Sequence, residues 1–263
     1  MDILFYFATG LCAGFLAGLL GVGGGLVIVP ALLFVFTTQH FPVAYALHLA
    51  LGTSLASIAF TSLSSMREHH RHGAVQWPIV KTIAPGILIG TLCGALLAAR
   101  IDAGWLRLFF IVFLFVAATQ IFFNLRPAGA RALPGRFGLS LAGGIIGLVS
   151  SWVGIGGGTL TVPFLLWCSV GMRQAVGTSA AVGFPIAIAG TIGYMIGGMS
   201  QPGLPTGSLG MVYLPALLPL VLASMLLAPA GARLAHRMPV AKLKKIFALL
   251  LYFLGTRMAF GSA

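Results

Sequence analysis

The chain has 263 residues, of which 59% are hydrophobic and only 7% are charged. Soluble domains carry roughly a quarter charged residues, so this composition excludes a water-facing surface and places the chain in a lipid bilayer. Fifteen Lys and Arg against three acids give a net charge of +12. The basic residues nevertheless form short clusters between apolar runs, as in membrane loops, and no basic stripe predicts nucleic-acid binding.

The apolar runs predict an all-α integral membrane protein. A spanning helix needs about 20 apolar residues. In chain order the uncharged runs are 3–36, 43–65, 79–99, 105–125, 137–170, 174–198, 209–232 and 241–260. The first and the fifth are too long for one helix, and glycines interrupt both near the middle. We therefore expect each to be a broken helix, either two full segments or a re-entrant hairpin.

An internal repeat links these two broken runs. Residues 14–35, GFLAGLLGVGGGLVIVPALLFV, align without gaps on residues 147–168, GLVSSWVGIGGGTLTVPFLLWC, with nine identities in 22 positions. Farther on, ALGTSLA (50–56) matches AVGTSAA (175–181) at five of seven positions. We assign residues 1–130 to a first membrane repeat and residues 131–263 to a second, within one transmembrane domain of about four apolar segments per repeat.

The basic residues orient the chain, because cytoplasmic loops carry an excess of Lys and Arg. With segments 66–81, 126–136 and 233–245 and the turn at Arg173 inside, twelve basic residues are cytoplasmic and three are outside. Both termini then lie in the periplasm and the halves run in opposite senses. Inverted repeats with glycine-broken helices are typical of secondary transporters, whose site lies between the repeats.

The glycine motifs are the first candidate site. Each glycine costs a helix about 1 kcal/mol relative to alanine, and exposed backbone is tolerated in lipid only beside protein or a water-filled cavity. A half-helix that starts there offers unpaired N–H groups and a partial positive charge, which suit an oxyanion. The alternative is that the glycines allow tight helix crossing. The candidate ligands are Gly23, Gly24, Gly25, Gly156, Gly157 and Gly158.

Polar residues near the starts of later helices are the second candidates: Thr53, Ser54, Thr178, Ser179, His48 and Gln174. The four hydroxyls can donate to an anion or bond back to a carbonyl of their own helix. His48 can assist an anion, carry a proton or lie at the membrane interface. Gln174 can cap its helix or contact the ligand.

The sequence lacks the residues that proton relays and catalytic sites usually require, and its histidine cluster does not indicate a metal site. No acid lies in the middle of a span, as proton relays usually require. Three acids cannot supply a catalytic constellation, so we predict that the chain is not an enzyme. His69, His70 and His72 have metal-like spacing but adjoin charged residues, which indicates a solvated cytoplasmic face. We expect no metal and no cofactor.

GLLGVGGGLVIVP and SWVGIGGGTLTVP, each followed by a GTS segment, resemble the TauE/SafE family of membrane proteins. The resemblance covers nearly the whole chain. It implies a bacterial inner-membrane permease, and more specifically an exporter, for sulfur-containing anions such as sulfite, organosulfonates or thiosulfate. It also implies that the glycine loops and GTS segments face a central site. The expected partners are this small anion and membrane lipid, with no nucleic acid; a homo-oligomer stays open. A permease for another anion and a non-transporting scaffold subunit of sulfur metabolism are the alternatives.

Overall fold

The computed structural model describes residues 2–20, 24–125, 131–237 and 241–260. These residues form ten helices and one short hairpin. The first half contains α1 (Asp2–Leu20), α2 (Gly25–Thr38), α3 (Val43–Arg71), α4 (Trp77–Ala98) and α5 (Ala103–Phe122). The second contains α6 (Arg136–Val153), α7 (Gly158–Trp167), α8 (Met172–Gly198), β1 (Ser208–Leu209), β2 (Val212–Tyr213), α9 (Leu214–Arg237) and α10 (Ala241–Phe260).

The all-helical membrane class is confirmed. Six helices of the described part are long and apolar enough to cross a bilayer. Large apolar side chains also cover the outside of the bundle; Phe137 is 83% exposed and Trp105 is 71% exposed. Such a surface would be unstable in water and is suited to lipid tails.

The glycine motifs break the two long runs as expected. α1 ends at Leu20 and α2 begins at Gly25, while α6 ends at Val153 and α7 begins at Gly158. The residues that precede α2 and α7, Gly24 and Gly157, have φ of +74° and +76°. This left-handed conformation favours glycine, because any Cβ strains it.

One connection differs from its sequence-based description. Residues 66–71 lie in the basic segment 66–81, yet they continue α3 as far as Arg71, and the linker to α4 is only 72–76. Glu68 supports this last turn because it pairs with Arg71 and His72, three and four residues later. The end of α3 is therefore an ordered helix that projects its side chains onto neighbouring helices.

The helices of the two halves pack crosswise. α1 lies along α9, α4 lies along α6, α3 packs on α8 in the centre, and α5 packs on α10. Small residues allow these close approaches: a methyl group at Gly14 would overlap the backbone of Ser224, and one at Gly147 would overlap the Ile87 backbone oxygen. The division at residue 130 falls between α5 and α6. The opposite orientation of the halves in the membrane stays a prediction.

Candidate functional site

The two glycine breaks meet at the centre of the molecule. Gly25, the first residue of α2, packs so closely on the second break that an added methyl group would overlap the Gly154 carbonyl oxygen. Ser54 of α3 donates a hydrogen bond to the same Gly154 oxygen at 2.9 Å. This carbonyl follows the end of α6 and would otherwise lack a partner. The breaks are therefore joined to each other and to α3.

The first GTS segment fastens the linker before α9. Gly52 lies so close to the Met211 carbonyl oxygen that a methyl group would not fit. The Thr53 hydroxyl accepts a hydrogen bond of 2.8 Å from the backbone N–H of Tyr213, the residue before α9. The Gly-Thr pair thus binds the backbone of the opposite half.

The second GTS segment does the same for the linker before α4. A methyl group at Gly177 would lie 2.7 Å from the Ala74 carbonyl oxygen. The Thr178 hydroxyl accepts a hydrogen bond of 3.0 Å from the N–H of Gln76, the residue before α4. Each half therefore holds the other at an equivalent place, and both threonines serve as backbone clamps.

A small cavity lies beside the meeting point, between the second half of α3 and the first half of α8. Its lining consists of small and hydroxyl-bearing residues: Ala17, Thr61, Ser62, Ser65, Gly156, Ser179, Ala180 and Gly183. No charged side chain is among them. We call this space the hydroxyl pocket.

Ser65 is the most informative side chain of the hydroxyl pocket. It is 2% exposed, and its Oγ has no hydrogen-bond partner in the described part of the chain. Its neighbours are paired: Ser62 donates to the Ala59 carbonyl at 3.2 Å, and Thr61 bonds Ser224 Oγ at 2.7 Å. A buried polar group without a partner costs free energy, so Ser65 is available to a ligand or water in the pocket.

A helix N-terminus adjoins the same space. Gly156 lines the pocket and lies two residues before the start of α7, whose first backbone bonds run from Leu160 and Thr161 to the Gly157 carbonyl. The preceding N–H groups of the helix have no intrahelical partner and carry a partial positive charge. Hydroxyl donors and a positive helix end can stabilise a small anion without a cationic side chain.

The other candidate glycines lie around the meeting point. Gly24 packs on the Ala13 carbonyl, with 2.8 Å to an added Cβ, and Gly157 packs on Ile186. Gly158 is buried at the start of α7. Gly23 lies outside the described residues. Among the twelve candidates, Gly156 and Ser179 line the hydroxyl pocket.

His48 and Gln174 lie away from this pocket. His48 is 3% exposed, and its Nε2 lies 3.1 Å from the carbonyl oxygens of both Ala98 and Ile101. The imidazole thus ties the start of α3 to the turn between α4 and α5. Gln174 is exposed on the first turn of α8. Neither position is directed to the pocket, and their roles as ligands stay predictions.

The sequence contains an indication of the hydroxyl pocket that lies outside the repeated segments. Thr61, Ser62 and Ser65 belong to TSLSS, four hydroxyls in five residues inside an apolar run. The second half has no such cluster at the equivalent place, so the alignment did not mark it. Only the packing of α3 on α8 turns these hydroxyls towards a cavity.

The three neighbouring histidines do not converge. His69 is fully buried, with its Nε2 at 3.3 Å from the Gly18 carbonyl oxygen. His70 accepts a hydrogen bond from Trp77, and His72 lies 3.4 Å from Glu68. Among the described residues, no three His, Cys, Asp or Glu side chains are grouped so as to hold a metal ion.

Comparison with known proteins identifies the group to which the chain belongs. Residues 6–258 match the family model "Sulfite exporter TauE/SafE". A "Probable membrane transporter protein" of Haemophilus influenzae is 36% identical over 257 residues, which is 97% of each chain. "Probable membrane transporter protein YdhB" of Bacillus subtilis is 30% identical, over 88% of this chain and 89% of its own. No solved structure matches. This multi-pass membrane protein therefore belongs to the TauE/SafE sulfite exporter family.

Proposed function

We propose that this protein is a secondary transporter that exports small sulfur-containing anions, such as sulfite or organosulfonates, across the bacterial inner membrane. Its family and the names of its relatives support a membrane transporter. The hydroxyl pocket carries the proposal further, because its buried, unpartnered Ser65 hydroxyl lies beside a helix N-terminus in the centre of the bundle.

The chemistry of the pocket suits a weakly held oxyanion. A sulfite or sulfonate group presents three oxygen acceptors, and the unpartnered Ser65 hydroxyl and backbone N–H groups near Gly156 offer donors. Hydrogen bonds to a charged group contribute about 1.5–3 kcal/mol each. Because no cationic side chain lines the pocket, the anion does not form an ion pair there and can leave again.

The way the halves are joined supports alternating access as the mechanism. The two clamps, Thr53 on Tyr213 and Thr178 on Gln76, hold the linkers in equivalent ways. Rigid movement of one half against the other would open the pocket first to one side and then to the other. With both termini periplasmic, the α3 end of the pocket faces the cytoplasm.

The membrane potential supplies a driving force that needs no buried carboxylate. A negative interior favours outward movement of an anion by about 2.3 kcal/mol per charge at 100 mV. The same scarcity of acids leaves no pair of carboxylates for catalysis, so we propose transport without an enzymatic step and without a cofactor.

Flux into proteoliposomes tests the proposal. Purified protein is reconstituted, and uptake of labelled sulfite, sulfoacetate, thiosulfate, sulfate and acetate is measured with and without an imposed potential. We expect saturable flux of at least one sulfur anion that increases when the acceptor side is made positive. Ser65→Ala is measured beside Ser57→Ala, a second buried and unpartnered serine of α3 that does not line the pocket.

The outcomes separate the alternatives. Flux of acetate alone would replace the sulfur anions by another anion class. Flux that ignores the potential would remove the proposed coupling. No flux of any anion, together with a stoichiometric partner that copurifies, would replace the transporter by a scaffold subunit.

A further inference from the structure

The second glycine break contains buried hydroxyls that do not line the hydroxyl pocket. Ser150 lies in the last turn of α6, and Thr159 and Thr161 lie in the first turn of α7. The three side chains are at most 7% exposed. Their hydroxyl oxygens have no hydrogen-bond partner in the described part of the chain. Because a buried hydroxyl without a partner costs free energy, this group points to a ligand.

Two of these hydroxyls border the same small space. It lies beside Gly157, at the point that a Cβ of this residue would occupy. Thr161 Oγ1 lies 3.3 Å from this point, and Ser150 Oγ lies 3.7 Å from it. The terminal methyl group of Ile186 in α8 would overlap a Cβ there. The end of one flexible apolar side chain therefore fills the space that two unpartnered hydroxyls face.

The first break shows that the fold does not need these hydroxyls. In the gap-free alignment of the repeat, the three equivalent residues of the first half are apolar: Ala17, Leu26 and Ile28. The backbone at the two breaks is nevertheless alike, because Gly24 has φ of +74° and Gly157 has φ of +76°. Apolar side chains are thus compatible with the same turn, so the hydroxyls of the second break serve another purpose.

The chemistry of the second break favours an anion. The first backbone bonds of α7 run from Leu160 and Thr161 to the Gly157 carbonyl, so the N–H groups of Gly158 and Thr159 have no acceptor within the helix. These N–H groups carry the partial positive charge of the helix start, and the hydroxyls add further donors. None of the three acids of the chain lies in α6, α7 or α8. This combination suits an oxyanion and offers no carboxylate to a cation.

The break also adjoins the hydroxyl pocket. Gly156, the neighbour of Gly157, lines that pocket. Gly183 of α8 lies against both the break and the pocket: a Cβ on it would be 2.9 Å from the Gly156 carbonyl oxygen and 3.5 Å from Ser62 Cβ. The two groups of hydroxyls are therefore separated by little more than the Gly156–Gly157 backbone.

We propose that Ser150 and Thr161, with the first N–H groups of α7, form a second binding site for the transported sulfur anion, and that Ile186 controls access to it. We call this the break site. The inference rests on the proposed function, since it gives the same anion a second place of binding. Rotation of the Ile186 side chain moves its terminal methyl group and uncovers both hydroxyls. The anion then moves from the hydroxyl pocket across Gly156 to the break site.

Removal of the Ile186 methyl group tests this access. Melting temperatures of purified protein in detergent are recorded while sulfite or sulfoacetate replaces chloride at constant ionic strength, with choline as the cation. Ile186→Val lacks the terminal methyl group, so the anion no longer displaces it into a strained rotamer. We expect anion binding to become about three-fold stronger or more. Ser65→Ala, which alters the hydroxyl pocket, should leave this gain in place.

The two hydroxyls are tested in the Ile186→Val protein. Ser150→Ala and Thr161→Val should each remove the gain, because loss of one hydrogen bond to a charged group weakens binding at the break site about ten-fold. The melting temperature without anion should stay the same or rise, since neither hydroxyl has a partner to lose. A double-mutant cycle separates this coupling from a general effect on packing.

The matched controls are hydroxyls that already donate within their own helix. Ser151, next to Ser150, donates to the Leu148 carbonyl at 2.7 Å, and Thr191 of α8 donates to the Ala187 carbonyl at 2.7 Å. Ser151→Ala and Thr191→Val should keep the gain in binding that Ile186→Val produces.

Three results would overturn the break site: no gain in Ile186→Val, a gain that survives both Ser150→Ala and Thr161→Val, or a gain that Ser151→Ala removes equally. Stabilisation by sodium over choline that Ser150→Ala abolishes would assign the hydroxyls to a cation instead. Should Ile186→Val fail to fold, Ser150→Ala against Ser151→Ala in the parent decides.

Flux measured on the same variants separates this inference from the proposed function. Anion binding that depends on Ser150 in a protein without flux would keep the break site and reject the transporter. Flux and binding that ignore both Ser150 and Thr161 would keep the transporter and reject the break site.

Discussion

The second half of α3 and the second half of α8 occupy equivalent places but differ in chemistry. α3 presents Ser62, Ser65 and His69, where α8 presents Ala187, Gly190 and Tyr194. The end of each segment accepts the same backbone bond from the linker that follows it, and Thr53 or Thr178 of the same helix binds the linker of the opposite half. The shared contacts form a symmetric frame, and the side chains between them are free to differ.

The difference between the two sets of side chains decides where a cavity remains in the bundle. At the α8 end, Leu55 covers Gly190, where an added Cβ would lie 2.8 Å from a Leu55 methyl group. Ile186 fills the place that corresponds to Thr61. At the α3 end, the hydroxyls of Thr61, Ser62 and Ser65 border the hydroxyl pocket. One side of the centre is thus filled by apolar side chains, and the other side contains the hydroxyl pocket.

The largest effect is expected where the two halves touch. Gly25→Val would force a branched side chain into the Gly154 carbonyl, and overpacking of a fixed backbone costs about 3 kcal/mol. We expect a strong decrease in thermal stability in detergent and loss of flux. Gly135→Val is the control, because nothing lies within 4 Å of a Cβ there. Equal melting temperatures for the two variants would show that the breaks do not meet as described.

The next effect separates transport from stability at the pocket. Ser65→Ala removes a donor to the anion, so we expect the half-saturation concentration to rise about thirty-fold, which corresponds to about 2 kcal/mol. Thermal stability should stay the same or increase, because the lost hydroxyl has no partner. Ser57→Ala should leave flux unchanged. A fall in stability without a change in flux would mean that Ser65 serves packing and that the hydroxyl pocket does not bind the anion.

The clamps test the symmetric frame itself. Thr53→Val and Thr178→Val keep the shape of the side chain but leave one backbone N–H without its acceptor, at Tyr213 and Gln76. We expect each to lose about 1 kcal/mol of unfolding free energy, measured in denaturant. Equal losses would confirm equivalent clamps. If only one of the two variants loses unfolding free energy, the two clamps contribute unequally to stability although their hydrogen bonds are equivalent.

The sequence predicted the symmetric frame of contacts between the halves better than it predicted the hydroxyl pocket. Gly21–Gly25 and Gly154–Gly158 stand out locally, because glycine runs break helices and the repeat places them in register. The sequence could not show that Thr53 and Thr178 each bind the linker of the opposite half, because their partners are backbone groups far along the chain. Nor could it separate His69 from His70, because burial at the end of α3 depends on where α1 ends. Contacts between distant helices decide these points.

The smallest effect concerns an ion-pair cluster at the α3 end. Glu68 lies 3.7 Å from Arg71 and 4.0 Å from Arg233 of α9, and the described part of α8 has no such cluster. Because the Arg233 side chain is 59% exposed, water and salt screen the pair, and we expect Arg233→Gln to change stability by less than about 0.5 kcal/mol. The difference in stability between Arg233→Gln and the parent should vanish at high salt. Melting is measured in about 0.05 M and about 0.5 M NaCl, because the Debye length falls from about 14 Å to about 4 Å between them. A larger, salt-insensitive loss would mean that the cluster is shielded from water and contributes to stability as a buried ion pair does.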